Sequence, residues 1–64
     1  MEWTIFDRHS LLREPKGPRW ILLETYNREP TMWFTSRDNA EQWLVERGFT
    51  LNDDGAWTRQ EENQ

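Results

Sequence analysis

Five tryptophans, Trp3, Trp20, Trp33, Trp43 and Trp57, are spread almost evenly along a chain of 64 residues that contains no cysteine. A domain this small buries only about 60% of the surface its unfolded chain exposes, and below roughly 70 to 80 residues a disulfide, a metal or a partner subunit usually supplements the core. Without cysteine there is no disulfide and no thiolate metal site, and the single histidine, His9, is too little for a structural zinc centre. Each packed Trp buries roughly 150 to 250 Å². Aromatic packing therefore takes the stabilising role, alone or together with self-association.

Eight basic residues against twelve acidic ones give a net charge of −4, opposite in sign to the footprint of a protein that holds phosphates. Direct nucleic-acid binding is disfavoured. A basic surface on another protein is the better match for these carboxylates. Met1 is followed by Glu2, Trp3 and Thr4 rather than by a basic segment and an apolar run, and nothing approaches 18 consecutive apolar residues. The expectation is a cytoplasmic protein without membrane contact.

Residues 2–8 interleave Trp3, Ile5 and Phe6 with Thr4 and predict a strand. Residues 9–18 hold Pro15, Gly17 and Pro18 and read as a loop, with the alternative that the strand runs on to Leu12 before Pro15 stops it. Residues 19–26 are apolar on both parities, with Ile21 and Leu23 on one side and Trp20, Leu22 and Tyr26 on the other. That is the signature of a central strand covered on both faces. A turn at 27–30 leads to a third strand over 31–35, joined to the second as an antiparallel hairpin.

Ser36 is a good N-cap for a helix over 37–47, Asp38 suits the positive first turn, and Ala40, Trp43 and Leu44 form one apolar stripe. Gly48 and Phe49 stand where a Schellman motif wants a left-handed residue and its hydrophobic follower. Segments 49–51 and 56–59 flank Asn52-Asp53-Asp54-Gly55, a strong hairpin signal. The order is β-β-β-α-β-β. It predicts a single α+β domain over 1–59, an antiparallel sheet of four to five strands with one helix on one face, and a frayed acidic tail over 60–64. A helix of that length spans about 16 Å, too little to clothe the sheet. Parity assigns Ile21, Leu23, Met32 and Phe34 to one face and leaves Trp20, Leu22, Tyr26 and Trp33 for the other.

Catalysis finds little support. His9 and Ser10 are neighbours in sequence, but adjacent strand residues point to opposite faces and no third group is there to orient the imidazole. Asp53 and Asp54 belong to turn chemistry, and their spacing lacks the distal Glu of a calcium loop. No phosphate loop or HExxH helix is present. The chain reads as non-enzymatic, with no catalytic residue, metal or cofactor. Binding is the remaining class. With Ala40, Trp43 and Leu44 inward, the helix turns Asp38, Glu41, Gln42, Val45 and Glu46 outward, so that Val45 is an apolar spot ringed by carboxylates, while Asp53 and Asp54 add acid nearby. Arg13, Lys16 and Arg19 cluster instead in the long loop.

The residues Phe34-Thr35-Ser36, Ala40, Trp43-Leu44, Gly48-Phe49, Asp54-Gly55 and Trp57 look like the capped helix and hairpin that recur in short phage and mobile-element proteins. An acidic chain of this size resembles the small phage-encoded anti-CRISPR inhibitors. The resemblance implies a protein without catalysis that binds a CRISPR effector complex and blocks target DNA, by presenting carboxylates to its basic DNA-binding surface or by steric occlusion. The expected contact surface is Asp38, Glu41, Val45, Glu46, Asp53 and Asp54, with Trp33 and Trp20 as apolar anchors. The alternative is a homodimeric structural or regulatory module paired through its open sheet face, and a third option is direct nucleic-acid binding by Arg13, Lys16 and Arg19.

Overall fold

A computed structural model describes residues 2–59; the proposed tail over 60–64 lies outside them. β1 (Glu2–Asp7) is followed by a 3₁₀ turn (Arg8–Leu11), β2 (Trp20–Glu24), β3 (Pro30–Phe34), α1 (Arg37–Glu46), β4 (Thr50–Leu51) and β5 (Trp57–Thr58). The chain is α+β in the expected order. All five strands form one antiparallel sheet ordered β3-β2-β1-β5-β4, so α1 carries the chain from one sheet edge to the other.

β1 stops at Asp7 and does not run on to Leu12. The Asp7 carboxylate accepts the His9 amide at 3.1 Å and the Ser10 hydroxyl donates to the Asp7 carbonyl at 2.7 Å, which starts the 3₁₀ turn instead. Pro30 opens β3 at a sheet edge, where a missing N–H is tolerated. A register shift at Leu22/Leu23 in the β2–β3 pairing accommodates it.

α1 begins as the sequence dictates, with the Ser36 hydroxyl accepting the Asn39 amide at 3.1 Å. It closes in a Schellman arrangement: Gly48 has φ +87° and donates to the Val45 carbonyl, while Phe49 donates to the Leu44 carbonyl at 3.0 Å. Ala40 and Leu44 are fully buried, and the core under the helix joins Trp3, Leu22, Leu44, Phe49 and Trp57, with Ile5, Met32, Phe34 and Trp43 packed around it.

The pairing register corrects the assignment of faces. Leu22 lies opposite both Ile5 and Met32, and Trp20 opposite both Asp7 and Phe34. Partners across an antiparallel pair share a face, so Trp20, Leu22, Met32 and Phe34 all face the helix. The uncovered face carries Thr4 and Phe6 of β1, Ile21 and Leu23 of β2, and Trp33 of β3, because Phe6 pairs with Ile21 and Ile21 with Trp33. Parity alone could not fix how β2 and β3 register, and a one-residue difference exchanges the two faces. Trp33 is 49% exposed. No helix among the described residues is long and apolar enough to cross a membrane.

Candidate functional site

The expected acidic surface on α1 exists but is partly neutralised. Asp38 is exposed in the first turn. Glu41 is half-buried and accepts from the Arg37 guanidinium at 3.1 Å, four residues earlier. Glu46 accepts from Gln42 at 3.2 Å and lies 4.0 Å from Arg47. Arg37 is also drawn over Trp20, 5.7 Å from the ring centre, and Arg47 over Trp43 at 3.9 Å. Three carboxylates thus share the helix with two guanidinium groups. Val45 stands exposed among them.

Asp53 and Asp54 sit at the β4–β5 hairpin tip. The Asp54 carboxylate accepts the Ala56 amide at 3.0 Å, Asn52 donates to the Ala56 carbonyl at 2.7 Å, and Gly55 takes φ +91°, so this acid shapes the turn as well as charging it. The two proposed aromatic anchors are separated by the sheet. Trp33 lies on the open face, whereas Trp20 faces the helix between Arg37 and Arg19, whose guanidinium is 4.9 Å from its ring centre. Trp20 is therefore a packing element, half-buried and already stacked.

An acidic corner that the sequence did not single out forms where β1 begins and β2 ends. The Tyr26 hydroxyl donates to Glu2 Oε1 at 3.3 Å, and the Glu24 carboxylate accepts the Tyr26 and Asn27 amides at 3.3 and 3.1 Å. Tyr26 is 78% exposed. Its phenol is held above the ordinary tyrosine range, first by the charge of Glu2, then by the hydrogen bond to it, with smaller contributions from burial, Glu24 and Asp54. Carboxylates from residues 2 and 24 thus both engage Tyr26, one at its hydroxyl and one at its backbone amide. The β1–β2 pairing, with Trp3 opposite Glu24, brings the start of one strand and the end of the other together.

The opposite end of the sheet is basic and internally tied. Arg8 donates to the carbonyls of Lys16 and Pro18 at 2.6 and 2.8 Å, clamping the long loop. Arg19 grips Asp7 at two points, 3.0 and 2.9 Å, which holds the Asp7 carboxyl below the usual range despite some burial and raises Arg19 in turn. The His9 ring contacts the Gly17 carbonyl at 3.0 Å, and Ser10 bonds to Asp7, so the two are engaged separately in loop closure. Arg13, Lys16 and Arg19 lie at this end, with Arg19 committed to Asp7 and Trp20.

Between the two ends, the open face carries a shallow dent of about 100 Å³ lined by Thr4, Phe6, Leu23, Thr25 and Arg28. The two threonine hydroxyls share a hydrogen bond at 3.0 Å. Arg28 is held at φ +59°, an unusual backbone state for a non-glycine residue. A dent of this size is well below the roughly 300 Å³ of ordinary ligand pockets. Comparison of the chain with protein-family models, with curated proteins and with solved structures returns no match.

Proposed function

We propose that this chain is a non-catalytic protein-binding inhibitor whose acidic surfaces occupy a basic, nucleic-acid-binding site on its partner. The observation that carries the reading is the pair of carboxylates held on Tyr26, Glu2 at its hydroxyl and Glu24 at its amide, beside an aromatic ring that is largely exposed. Carboxylates beside an open aromatic face suit the arginine and lysine side chains that would otherwise hold phosphates. Asp38, Glu46 and Asp53 extend the negative potential over the helix and hairpin, and Val45 gives that surface an apolar centre.

In the form implied by the resemblance to anti-CRISPR inhibitors, the partner is a CRISPR effector complex in the cytoplasm of a phage-infected cell. The inhibitor would then exclude target DNA without cofactor, metal or chemistry. The test is equilibrium binding to a guide-loaded effector across a salt series, with labelled target DNA as competitor. Binding that weakens as salt rises and is mutually exclusive with DNA supports the reading, because contacts between opposite charges are screened. Binding that leaves DNA in place, or no binding at low salt, removes it.

A further inference from the structure

The sheet order leaves β3 and β4 outermost, and β4 is only two residues long. The alternation of hydrogen bonds shows what the free edge of β3 offers. Arg8 donates to the Arg19 carbonyl at 2.7 Å and Thr25 to the Glu2 carbonyl at 3.0 Å, and Phe6 with Ile21 and Thr4 with Leu23 fall between them in the same register. Neighbouring residues of an antiparallel strand bond to opposite sides, so Ile21 and Leu23 are spent on β1 while Trp20, Leu22 and Glu24 turn to β3. The Glu24 amide accordingly donates to the Glu29 carbonyl at 3.1 Å. Trp20 and Leu22 stand opposite Phe34 and Met32. Between those two, Trp33 turns its N–H and C=O away from the sheet, and no turn, loop or cap among the described residues bonds to them.

Edge strands usually carry charge that discourages pairing with another strand. Residues 30–36 do the reverse, being the longest run of the chain without a charged side chain. The run is also symmetric about its centre. Counting outwards from Trp33, Met32 matches Phe34 and Thr31 matches Thr35, and beyond the run Glu29 matches Arg37 and Arg28 matches Asp38. We infer that β3 pairs antiparallel with β3 of a second copy of this chain, Trp33 opposite Trp33, each donating its N–H to the C=O of the other.

The two-fold axis stands perpendicular to the sheet, between the two tryptophans, so each face of the sheet continues into the same face of the other copy. The Trp33 rings, 49% exposed in one copy, meet across the axis on the open face as an aromatic cross-strand pair. Met32 meets Phe34 on the helix face, and Thr31 meets Thr35. Charges that flank the run match with opposite sign, so no like charges face each other. α1 runs away from this edge, since its end lies by β5, where Arg59 donates to the Arg47 carbonyl at 3.4 Å. Pro30 and the register shift at Leu22/Leu23 end the ladder on one side, and the bend through Thr35 and Ser36 ends it on the other. A ladder that short gives a weak pair with a concentration-dependent population. Both copies use the same contact, so the assembly closes at two. It lies apart from the corner at Glu2, Glu24 and Tyr26 and stands or falls independently of the proposed inhibition.

Sedimentation equilibrium between about 10 μM and about 1 mM tests this, the range being that of weak, small interfaces. The weight-average mass is expected to rise from the 7.9 kDa of one chain towards twice that value, and a mass that stays at one chain throughout overturns the inference. A synthetic chain carrying an N-methyl group on the Trp33 amide loses the outward N–H without touching the bonds to β2, and is expected to stay monomeric. Association of that chain equal to the unaltered one overturns the edge contact. The register is tested with two exposed positions. Thr31→Lys with Thr35→Lys, and Thr31→Glu with Thr35→Glu, each set like charges opposite one another, and each double variant alone is expected to be monomeric across the range. Their equimolar mixture places lysine opposite glutamate at both ends of the ladder and is expected to associate. If the mixture stays monomeric while the unaltered chain associates, or if each double variant associates unaided, the pairing about Trp33 is wrong. In the unaltered chain, the Trp33 amide is expected to exchange with deuterium more slowly as concentration rises; association that leaves its exchange unchanged overturns the assigned edge.

Discussion

The amide of Phe49 donates to the carbonyl of Leu44 across 3.0 Å, and the two side chains are buried in the same cluster. One turn of backbone thus ends the helix and inserts its first following residue into the core. Gly48 makes the reversal possible at φ +87°. A Cβ there would meet only the Arg59 side chain, at 3.6 and 3.8 Å, which is ordinary contact. The cost of Gly48→Ala is therefore conformational, about 1 kcal/mol for an L-residue in the left-handed region. Urea unfolding should show that loss, and a thermal scan a fall of about 4–8 °C.

Leu44 and Val45 are neighbours with opposite fates, fully buried and 60% exposed respectively. Leu44→Ala should cost about 2–5 kcal/mol, the range for emptied core sites, which is most of what a domain this small possesses. Val45→Ala should stay within about 0.5 kcal/mol, as surface changes do. Chemical denaturation of the pair checks both, and similar losses would mean that the helix is rotated from its assigned face.

The helix, its caps and the second hairpin were legible because each rests on signals a few residues apart: Ser36 with Asn39, Gly48 with Phe49, Asp54 with Gly55 and Ala56. What was not legible is whatever depends on register. Trp20 and Trp33 were expected on one surface, yet the pairing of Trp20 with Phe34 sets them on opposite faces. The corner at Glu2, Glu24 and Tyr26 was invisible for the same reason, since strand pairing assembles it from two distant segments. Of the expected contact residues, Asp38, Val45, Glu46, Asp53 and Asp54 are exposed, whereas Glu41 is half-buried beside Arg37.

Trp3 is only 7% exposed, and its indole nitrogen is buried with no hydrogen-bond partner. An orphaned buried donor costs about 1–3 kcal/mol. Trp3→Phe loses ring volume but sheds that penalty. Trp57, 6% exposed, has no such orphaned nitrogen among the described residues. Trp3→Phe should therefore destabilise by at least about 1 kcal/mol less than Trp57→Phe. Denaturation midpoints of the two variants settle the comparison, and a larger loss at Trp3 would mean that its nitrogen has a partner.

Asp7 titrates below the usual carboxylate range because of its two hydrogen bonds from Arg19, with burial opposing them. Since the folded value lies under the unfolded one, the stabilisation is complete above a pH of about 4 and is lost as pH falls through the folded value. Stability curves of the unaltered chain and Asp7→Asn should run parallel above about pH 5 and converge below about pH 4. The gap should be small, because the pair is largely solvated. A gap that widens with acid would reverse the assigned sign.

Tyr26 is the single tyrosine of the chain, so the ultraviolet signal of tyrosinate reports on one residue. Glu2 raises its phenol chiefly by charge and then by hydrogen bonding. The midpoint should therefore lie above the ordinary value of about 10. Here the folded value exceeds the unfolded one, so the associated stabilisation is present below about pH 10 and disappears as pH rises through the folded midpoint. Glu2→Gln should return the midpoint towards the ordinary value, and Asp54→Asn should move it less, in keeping with the order of the causes. The same signal locates a partner. A cationic surface docked on the acidic corner stabilises the phenolate and lowers the midpoint, whereas one docked on Asp38, Val45 and Glu46 leaves it where it was.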